Sequence, residues 1–324
     1  MFVLTIVIFL AILIIGHELG HFLTARKFGV RIDEFGFGLP PRIASRKKGE
    51  TRFSLNLLPL GGFVKIHGQH REEGGIEDPE RAFVNQPASR RAVILISGVL
   101  ANLLIGWAAL SLVFFLGTPA KLFITEVLPE SAAAEAGLKA NEAVEGYSSP
   151  EEFKEFIESH RGQSVTINDR VILVPQAGAI GVVLSPFSIP KQGPFASVIR
   201  GLEATASIAV GVVKAVFQVV SQSLQGDPAG LNQVAGPVGI FNIIKQADGA
   251  AFLIYLLGAI SINLAIFNLL PVPALDGGHL LFLGVEKIIG RPLPRRAETA
   301  ANAIGFALLI LLIIVVTFKD IGRL

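Results

Sequence analysis

The chain has 324 residues, enough for two ordinary domains, but only 17% are charged, 51% are apolar, and the mean hydropathy is +0.59. That balance excludes an ordinary soluble protein and predicts a polytopic membrane protein in contact with the lipid bilayer. The net charge of +2 says little about partners, but because there is no long basic patch we expect no nucleic-acid partner. The absence of cysteine leaves His, Asp, Glu or Asn as candidate metal ligands.

Four apolar segments are each close to the length of about 20 residues that crosses the hydrocarbon of a membrane. They cover residues 2–25, 92–117, 251–270 and 300–318. The first lacks the positive start and small-residue cleavage site of a signal peptide, so we expect it to be retained as a helix.

Lysine and arginine are concentrated in two loops between these segments. Residues 26–91 carry 13 of them, and the loop after the third segment carries four. The positive-inside rule therefore places both loops in the cytoplasm. The termini and residues 118–249 are then extracytoplasmic, in a multi-pass protein of the cytoplasmic (inner) membrane.

Residues 53–66 read FSLNLLPLGGFVKI, which predicts two short strands around a turn at Gly61 and Gly62. They are too apolar for a free loop. We expect a β-hairpin that dips into the membrane part of the protein, where surrounding protein can cover non-helical backbone. The alternative is an ordinary cytoplasmic hairpin.

Two segments between the second and third apolar segments differ from the rest. Residues 122–186 combine strand patterns with an amphipathic helix opened by Ser149 and Pro150, which predicts a soluble α/β module. Residues 195–224 place apolar side chains at helical spacing on one face. That pattern favours a helix lying in the membrane interface over a span.

The sequence HELGH, residues 17–21, stands in the second half of the first apolar segment. On a helix, His17 and His21 share one face. This is the HExxH pattern, in which two imidazoles hold Zn²⁺ and the glutamate, here Glu18, acts as a general base toward water. The alternative is a pair of structural histidines, but burying such groups in a span is costly and favours a metal site.

Catalytic zinc usually takes three protein ligands. We expect the third to be Asp276, in NLLPVPALDGGH just after the third segment, where two prolines break the helix. His279 is a competing ligand, and helix capping is the alternative role for Asp276. The remaining candidates are expected to be solvated surface residues: His67, His70 and His160.

Membrane topology connects these predictions. Asp276 can reach the depth of His17 and His21 only if the third segment crosses in the same direction as the first. A further crossing at 195–224 would reverse the third segment, so the zinc site and an interfacial helix at 195–224 support each other.

Four ordered motifs together resemble the site-2 protease family of intramembrane zinc metalloproteases. They are HELGH at 17–21, NLLPLGGFVKIHG at 56–68, LANLLIG at 100–106 and NLLPVPALDGGHLLF at 268–282. The resemblance covers nearly the whole chain and is greatest to the bacterial sigma-E protease type, which carries an extracytoplasmic PDZ domain.

The resemblance implies a set of functional residues. They are His17, His21 and Asp276 as zinc ligands, Glu18 as the catalytic base, and Asn268 as a contact to the substrate backbone. It also implies a membrane-embedded hairpin at 53–66, whose edge would hold an unwound substrate near Gly61 and Gly62, and a PDZ module at 122–186.

The expected fold is an α-helical polytopic membrane protein with about four transmembrane helices, a membrane-associated β-hairpin and an inserted α/β PDZ-like domain. Its parts are a membrane catalytic half at 1–118, the PDZ-like domain at 122–186, an interfacial helix and linker at 190–249, and a second membrane catalytic half at 250–324.

The expected function is zinc-dependent cleavage of transmembrane segments in single-span membrane proteins during regulated intramembrane proteolysis. It would release a signalling factor, such as an anti-sigma factor fragment, or clear signal peptides. The alternative is a non-proteolytic metal-binding scaffold or a transporter. Glu18 argues against that alternative, since pure metal binding needs no adjacent free carboxylate, and no internal repeat typical of transporters is present.

Overall fold

The computed structural model describes residues 2–69, 77–140, 142–225, 236, 239 and 249–322. The helices are α1 Phe2–Lys27, α2 Ala88–Leu116, α3 Ala132–Glu135, α4 Pro150–Ser159, α5 Pro194–Leu224, α6 Ala250–Leu269, α7 Asp276–Ile289 and α8 Arg295–Ile321. The strands are β1 Ile32–Lys48, β2 Thr51–Ile66, β3 Thr118–Val127, β4 Ala143–Val144, β5 Ser164–Ile167, β6 Arg170–Leu173 and β7 Val182–Ile189. Most of the linker predicted up to residue 249, and His70, lie outside the described residues.

Within the described residues, five helices are long and apolar enough to cross a membrane, where the sequence predicted about four. Four of them, α1, α2, α6 and α8, correspond to the predicted spans. The fifth lies within α5, at Pro194–Gln222. The chain is therefore a multi-pass membrane protein, and the interfacial position of α5 stays a prediction.

The chain forms two compact units. The first contains α1, the β1–β2 sheet, α2 as far as Leu110, α5 from Gly201 onward, and the chain from Tyr255 onward. The second contains residues Ser111–Arg200 and the beginning of α6.

Helices α1, α2 and α6 pack closely in the first unit because glycine lets their backbones approach. Gly20 of α1 lies against the backbone of Ser97 in α2, and Gly106 of α2 lies against Gly258 in α6. A second contact for each pair gives the direction: Gly16 lies against Ile105 of α2, and Ser261 of α6 contacts Asn102 of α2. Residue numbers rise in one helix of each pair as they fall in the other, so α2 is antiparallel to both neighbours. Helices α1 and α6 therefore run in the same direction, as the sequence predicted.

Strands β1 and β2 form an antiparallel ladder joined by a tight turn after Lys48. The first half of β1 also lies between two parts of β2. Its residues 34–37 pair with residues 52–55 on one side and with residues 62–65 on the other. The β1–β2 sheet packs on the cytoplasm-proximal ends predicted for α1 and α2, around a core that includes Phe22, Ile66 and Ile94.

This pairing corrects the hairpin predicted at 53–66. The two halves of that segment do not pair with each other as the sequence pattern suggested, since each pairs with β1 instead. Strand periodicity fixes which residues face alike, but it does not identify the partner strand. The hairpin therefore comprises residues 32–66.

The second unit contains the strands and helices predicted for 122–186. Strand β3 pairs with β4 on one side and β7 on the other, while β5 and β6 form a separate two-stranded sheet. Helix α4 begins after Ser149, whose side chain caps it by accepting a hydrogen bond from the backbone N–H of Glu152. Residues Phe153 and Ile157 of α4 are buried in one hydrophobic core with Leu122 and Ile172.

Candidate metal centre

Helix α1 places two histidine rings side by side. His17 and His21 are one helical turn apart, and their side chains lie on one face. Their Nε2 atoms are 3.2 Å apart, and the two residues are only 8% and 7% exposed. Both rings therefore present Nε2 to the same point in a buried setting.

Asp276 reaches that same point from a distant part of the chain. It is the first residue of α7, where a carboxylate also complements the positive end of the helix dipole. Its Oδ2 lies 3.1 Å from Nε2 of His17 and 3.3 Å from Nε2 of His21. Among the described residues, these three form the one cluster of His, Asp or Glu side chains able to hold a metal ion.

The three atoms fit the geometry of a zinc site. With zinc–ligand bonds of about 2.0–2.2 Å in a tetrahedron, neighbouring ligand atoms lie about 3.3 Å apart, close to the distances of 3.1, 3.2 and 3.3 Å here. Nδ1 of His21 donates to the carbonyl of Ile94 at 2.8 Å, which leaves Nε2 with a lone pair. Oδ2 of Asp276 is buried without a hydrogen-bond partner among the described residues. A metal ion bound between these three atoms would satisfy all of them.

Glu18 lies next to this cluster on the adjacent face of α1. It is half-buried. A methyl group added at Gly62 would lie 3.2 Å from Cγ of Glu18 and 2.6 Å from Ile14. Glycine at 62 therefore lets β2 approach the candidate base directly.

Gly98 in α2 is a site residue that the sequence reasoning missed. A methyl group there would overlap the ring of His21 and lie 2.8 Å from Cε1 of His17. Only glycine leaves room for both rings between α1 and α2. The spacing of small residues along α2 was visible in the sequence, but nothing local showed that Gly98 faces the histidines.

The loop that carries Asp276 is held by α8. Ala274 has a φ of +74°, which is unfavourable for a residue with a side chain, and its N–H donates to Oδ1 of Asn302 at 2.9 Å. Gly305, one turn further along α8, lies directly against Pro273. Helix α8 thus shapes the turn that precedes Asp276, a role that the sequence did not indicate.

The other predicted residues lie as follows. Asn268 is half-buried near the end of α6. Gly61 has a φ of +133° within β2, a conformation that favours glycine. His279 is outside the cluster, with Nδ1 3.6 Å from a carboxylate oxygen of Glu298. His160 is half-buried against the carbonyl of Phe156.

The prediction that His67 is a solvated surface residue is wrong. His67 is 7% exposed. Its Nδ1 lies 3.4 Å from Oδ2 of Asp33, and its Nε2 contacts the carbonyl of Glu77. The charged residues around it in the sequence suggested exposure, whereas the fold uses the ring to join the start of β1 to the chain after β2.

Comparison with known proteins agrees with this geometry. The model of peptidase family M50 matches residues 5–312. A Clostridium acetobutylicum protein is 32% identical over 96% of this chain and 94% of its own length. Zinc metalloprotease RasP of Geobacillus kaustophilus is 30% identical over 99% of this chain and 98% of its own length. Regulator of sigma-W protease RasP of Bacillus subtilis is 28% identical over the full length of both. The chain therefore belongs to peptidase family M50, the site-2 protease family, and is an intramembrane zinc metalloprotease.

Proposed function

We propose that His17, His21 and Asp276 hold the catalytic zinc and that Glu18 is the general base for peptide-bond hydrolysis. The observation that carries this proposal is the convergence of three buried ligand atoms, each 3.1–3.3 Å from the others, beside a carboxylate that is not itself part of the cluster. A site built only to bind metal would not need that fourth group.

The proposed hydrolysis uses both the metal ion and a side chain of the protein. Zinc, when bound, supplies Lewis acidity that makes water more acidic and polarises a carbonyl. Glu18 takes the proton of the attacking water and returns it to the leaving amine, as a general base and then a general acid. Gly62 in β2 lies beside Glu18, so the proposed base is close to a chain lying along that strand.

The proposed substrate is the transmembrane helix of a single-span membrane protein. Its scissile carbonyl is already hydrogen-bonded within the helix, so the helix must unwind before hydrolysis. Gly62 in β2 lies beside Glu18, which supports β-augmentation of the unwound segment along this part of β2, near Gly61 and Gly62. Asn268 would add an amide that both donates to and accepts from the substrate backbone.

Variants of Gly62 and Asn268 test this handling of the substrate. Gly62→Pro should impair cleavage of strongly helical substrates more than cleavage of substrates with a helix-breaking residue near the cut. Asn268→Ala should slow cleavage while zinc content stays the same. Equal loss for both kinds of substrate with Gly62→Pro would contradict a role in holding the unwound chain.

We further propose that residues 122–186 form an extracytoplasmic PDZ-like domain that excludes substrates with bulky outer domains. Chain connectivity supports this position, since the segment joins α2 to α5. The stretch GLKANEAVEG departs from the usual PDZ pattern, which favours exclusion by size over binding of a peptide terminus. Deletion of 122–186 should then allow cleavage of substrates that keep a folded outer domain, and continued resistance of those substrates would contradict the proposal.

Orientation in the membrane is tested by labelling. The chain has no cysteine, so single cysteines can be placed at Glu155 in α4 and at Lys47 in β1, both exposed. An impermeant thiol reagent applied outside the cytoplasmic membrane should label Glu155→Cys and not Lys47→Cys. The reverse pattern would overturn the proposed orientation.

The cellular role is proposed to be regulated intramembrane proteolysis, with an anti-sigma factor or a remnant signal peptide as substrate. The Bacillus subtilis relative is named regulator of sigma-W protease, and that name supports the first class. Both classes are membrane-inserted chains with one apolar helix, so both fit the proposed handling of an unwound span.

The test of the proposed chemistry compares two kinds of variant. Glu18→Gln should keep about one zinc per chain but lose cleavage of a single-span reporter in detergent or liposomes, since the amide cannot accept the proton. The double variant His17→Ala, His21→Ala should lose zinc as well. Wild-type cleavage by Glu18→Gln, or full zinc content in the double variant, would refute the assignment.

A further inference from the structure

Asn102 is a completely buried polar residue near the metal cluster that no step of the proposed chemistry uses. It lies in α2 and is 0% exposed. Its Nδ2 lies 3.4 Å from Nδ1 of His17, and its Oδ1 has no hydrogen-bond partner among the described residues. A buried amide oxygen without a partner is destabilising, so the arrangement needs an explanation.

Packing between helices does not supply that explanation. The contact from α6 to this position is made by Oγ of Ser261, which donates to the backbone carbonyl of Asn102 at 2.7 Å. Any residue at 102 would offer the same carbonyl. The amide side chain of Asn102 is therefore not explained by this contact with α6. Its neighbour on the other side is Nδ1 of His17.

Both histidines direct Nε2 toward the proposed metal position. His21 carries its ring proton on Nδ1 and donates it to the Ile94 carbonyl at 2.8 Å, which leaves the lone pair of Nε2 free. Nε2 of His17 points to the same place. To bind metal there, His17 must also carry its proton on Nδ1 and needs an acceptor for it. An NH₂ group cannot accept that proton.

We propose that Asn102 is a positioning residue for the zinc ligand His17, with its Oδ1 accepting the Nδ1–H of that ring. A half turn of the amide exchanges its oxygen and nitrogen without moving any other atom, and the two orientations are nearly equivalent in shape. The hydrogen bond fixes the tautomer of His17 and the direction of its ring before metal binds. This inference deepens the proposed zinc site and rests on it.

The test compares replacements at 102 that differ in whether they can accept a hydrogen bond. Asn102→Leu has similar size and no acceptor, and we expect its zinc affinity to fall about 10–100-fold, as for other partners of metal-binding histidines. Asn102→Asp keeps the oxygen, and its affinity should stay within about threefold of wild type. Affinity is measured on purified full-length protein in detergent, by competition with a chromophoric zinc chelator.

Two controls separate this role from general damage. Ser261→Ala removes the other polar contact at this point of α2 without touching the ring, so its zinc affinity should equal that of wild type. Thermal unfolding of the zinc-free proteins shows whether each variant is folded. If Asn102→Leu gives too little folded protein, Asn102→Ala replaces it in the same comparison.

The outcomes are distinct. Loss of zinc affinity in Asn102→Leu with retention in Asn102→Asp supports the inference. Wild-type affinity in the leucine variant, or equal loss in the aspartate variant, overturns it. If the double variant His17→Ala, His21→Ala loses zinc while Asn102→Leu does not, this inference fails and the proposed site stands. If the double variant keeps zinc, the proposed site itself fails.

Discussion

Replacement of Gly98 by alanine is the sharpest test of how α2 shapes the metal centre. The added methyl group would lie 2.7 Å from Cε1 of His21 and 2.8 Å from Cε1 of His17. Ordinary carbon–carbon contacts are about 3.5–4.0 Å, so the rings or the helix must move by about 1 Å. No rotation of an alanine side chain can relieve the overlap, because its Cβ position is fixed by the backbone.

A shift of that size is large for a metal site, since ligand distances must hold within about 0.2 Å. We therefore expect Gly98→Ala to lower zinc affinity on the order of 100-fold, which corresponds to about 2.7 kcal/mol of binding free energy. The overpacking itself should cost about 1–3 kcal/mol of stability. The same chelator competition and thermal unfolding in detergent measure the two effects.

Gly106→Ala on the same helix is the matched control. Its methyl group would lie 2.5 Å from Cγ1 of Ile262 and 3.1 Å from the carbonyl of Gly258, so it overpacks the contact with α6 without touching a histidine. We expect a lower unfolding temperature and wild-type zinc affinity. Wild-type zinc affinity in Gly98→Ala, or an equal loss in Gly106→Ala, would refute the steric reasoning.

Three further predictions concern the supports of the site and its metal. Asn302→Ala leaves the N–H of Ala274 without its acceptor, and we expect lower zinc affinity than in Asn302→Asp, which keeps an oxygen; equal affinities would contradict this. Arg91→Met removes the 3.0 Å ion pair with Glu286 that joins α2 to α7. Since both side chains remain partly exposed, the loss of stability should be about 1–3 kcal/mol, seen as a lower unfolding temperature. Removal of zinc by a chelator should abolish cleavage of a reporter, and stoichiometric zinc should restore it; cleavage by zinc-free protein would contradict the assignment.

The sequence by itself determined most of the chemistry and the membrane character of the protein. The apolar segments, the HExxH spacing on one helix face, and an acid placed after a proline-broken helix are properties of short stretches. Their meaning follows from local geometry and from the cost of burying polar groups in a membrane. The same cost predicted that His17 and Asp276 lie close together, because both polar side chains were expected at the same depth in the membrane.

The tertiary structure alone decided which partners surround these residues. The pairing of β2 with both sides of β1, the burial of His67, the clearance at Gly98 and the approach of Asn102 to His17 all join segments far apart in the chain; the last spans 85 positions. A residue pattern records which way a side chain faces along its own helix or strand. It does not record what another element places against that face, since that depends on how the elements pack around the shared core.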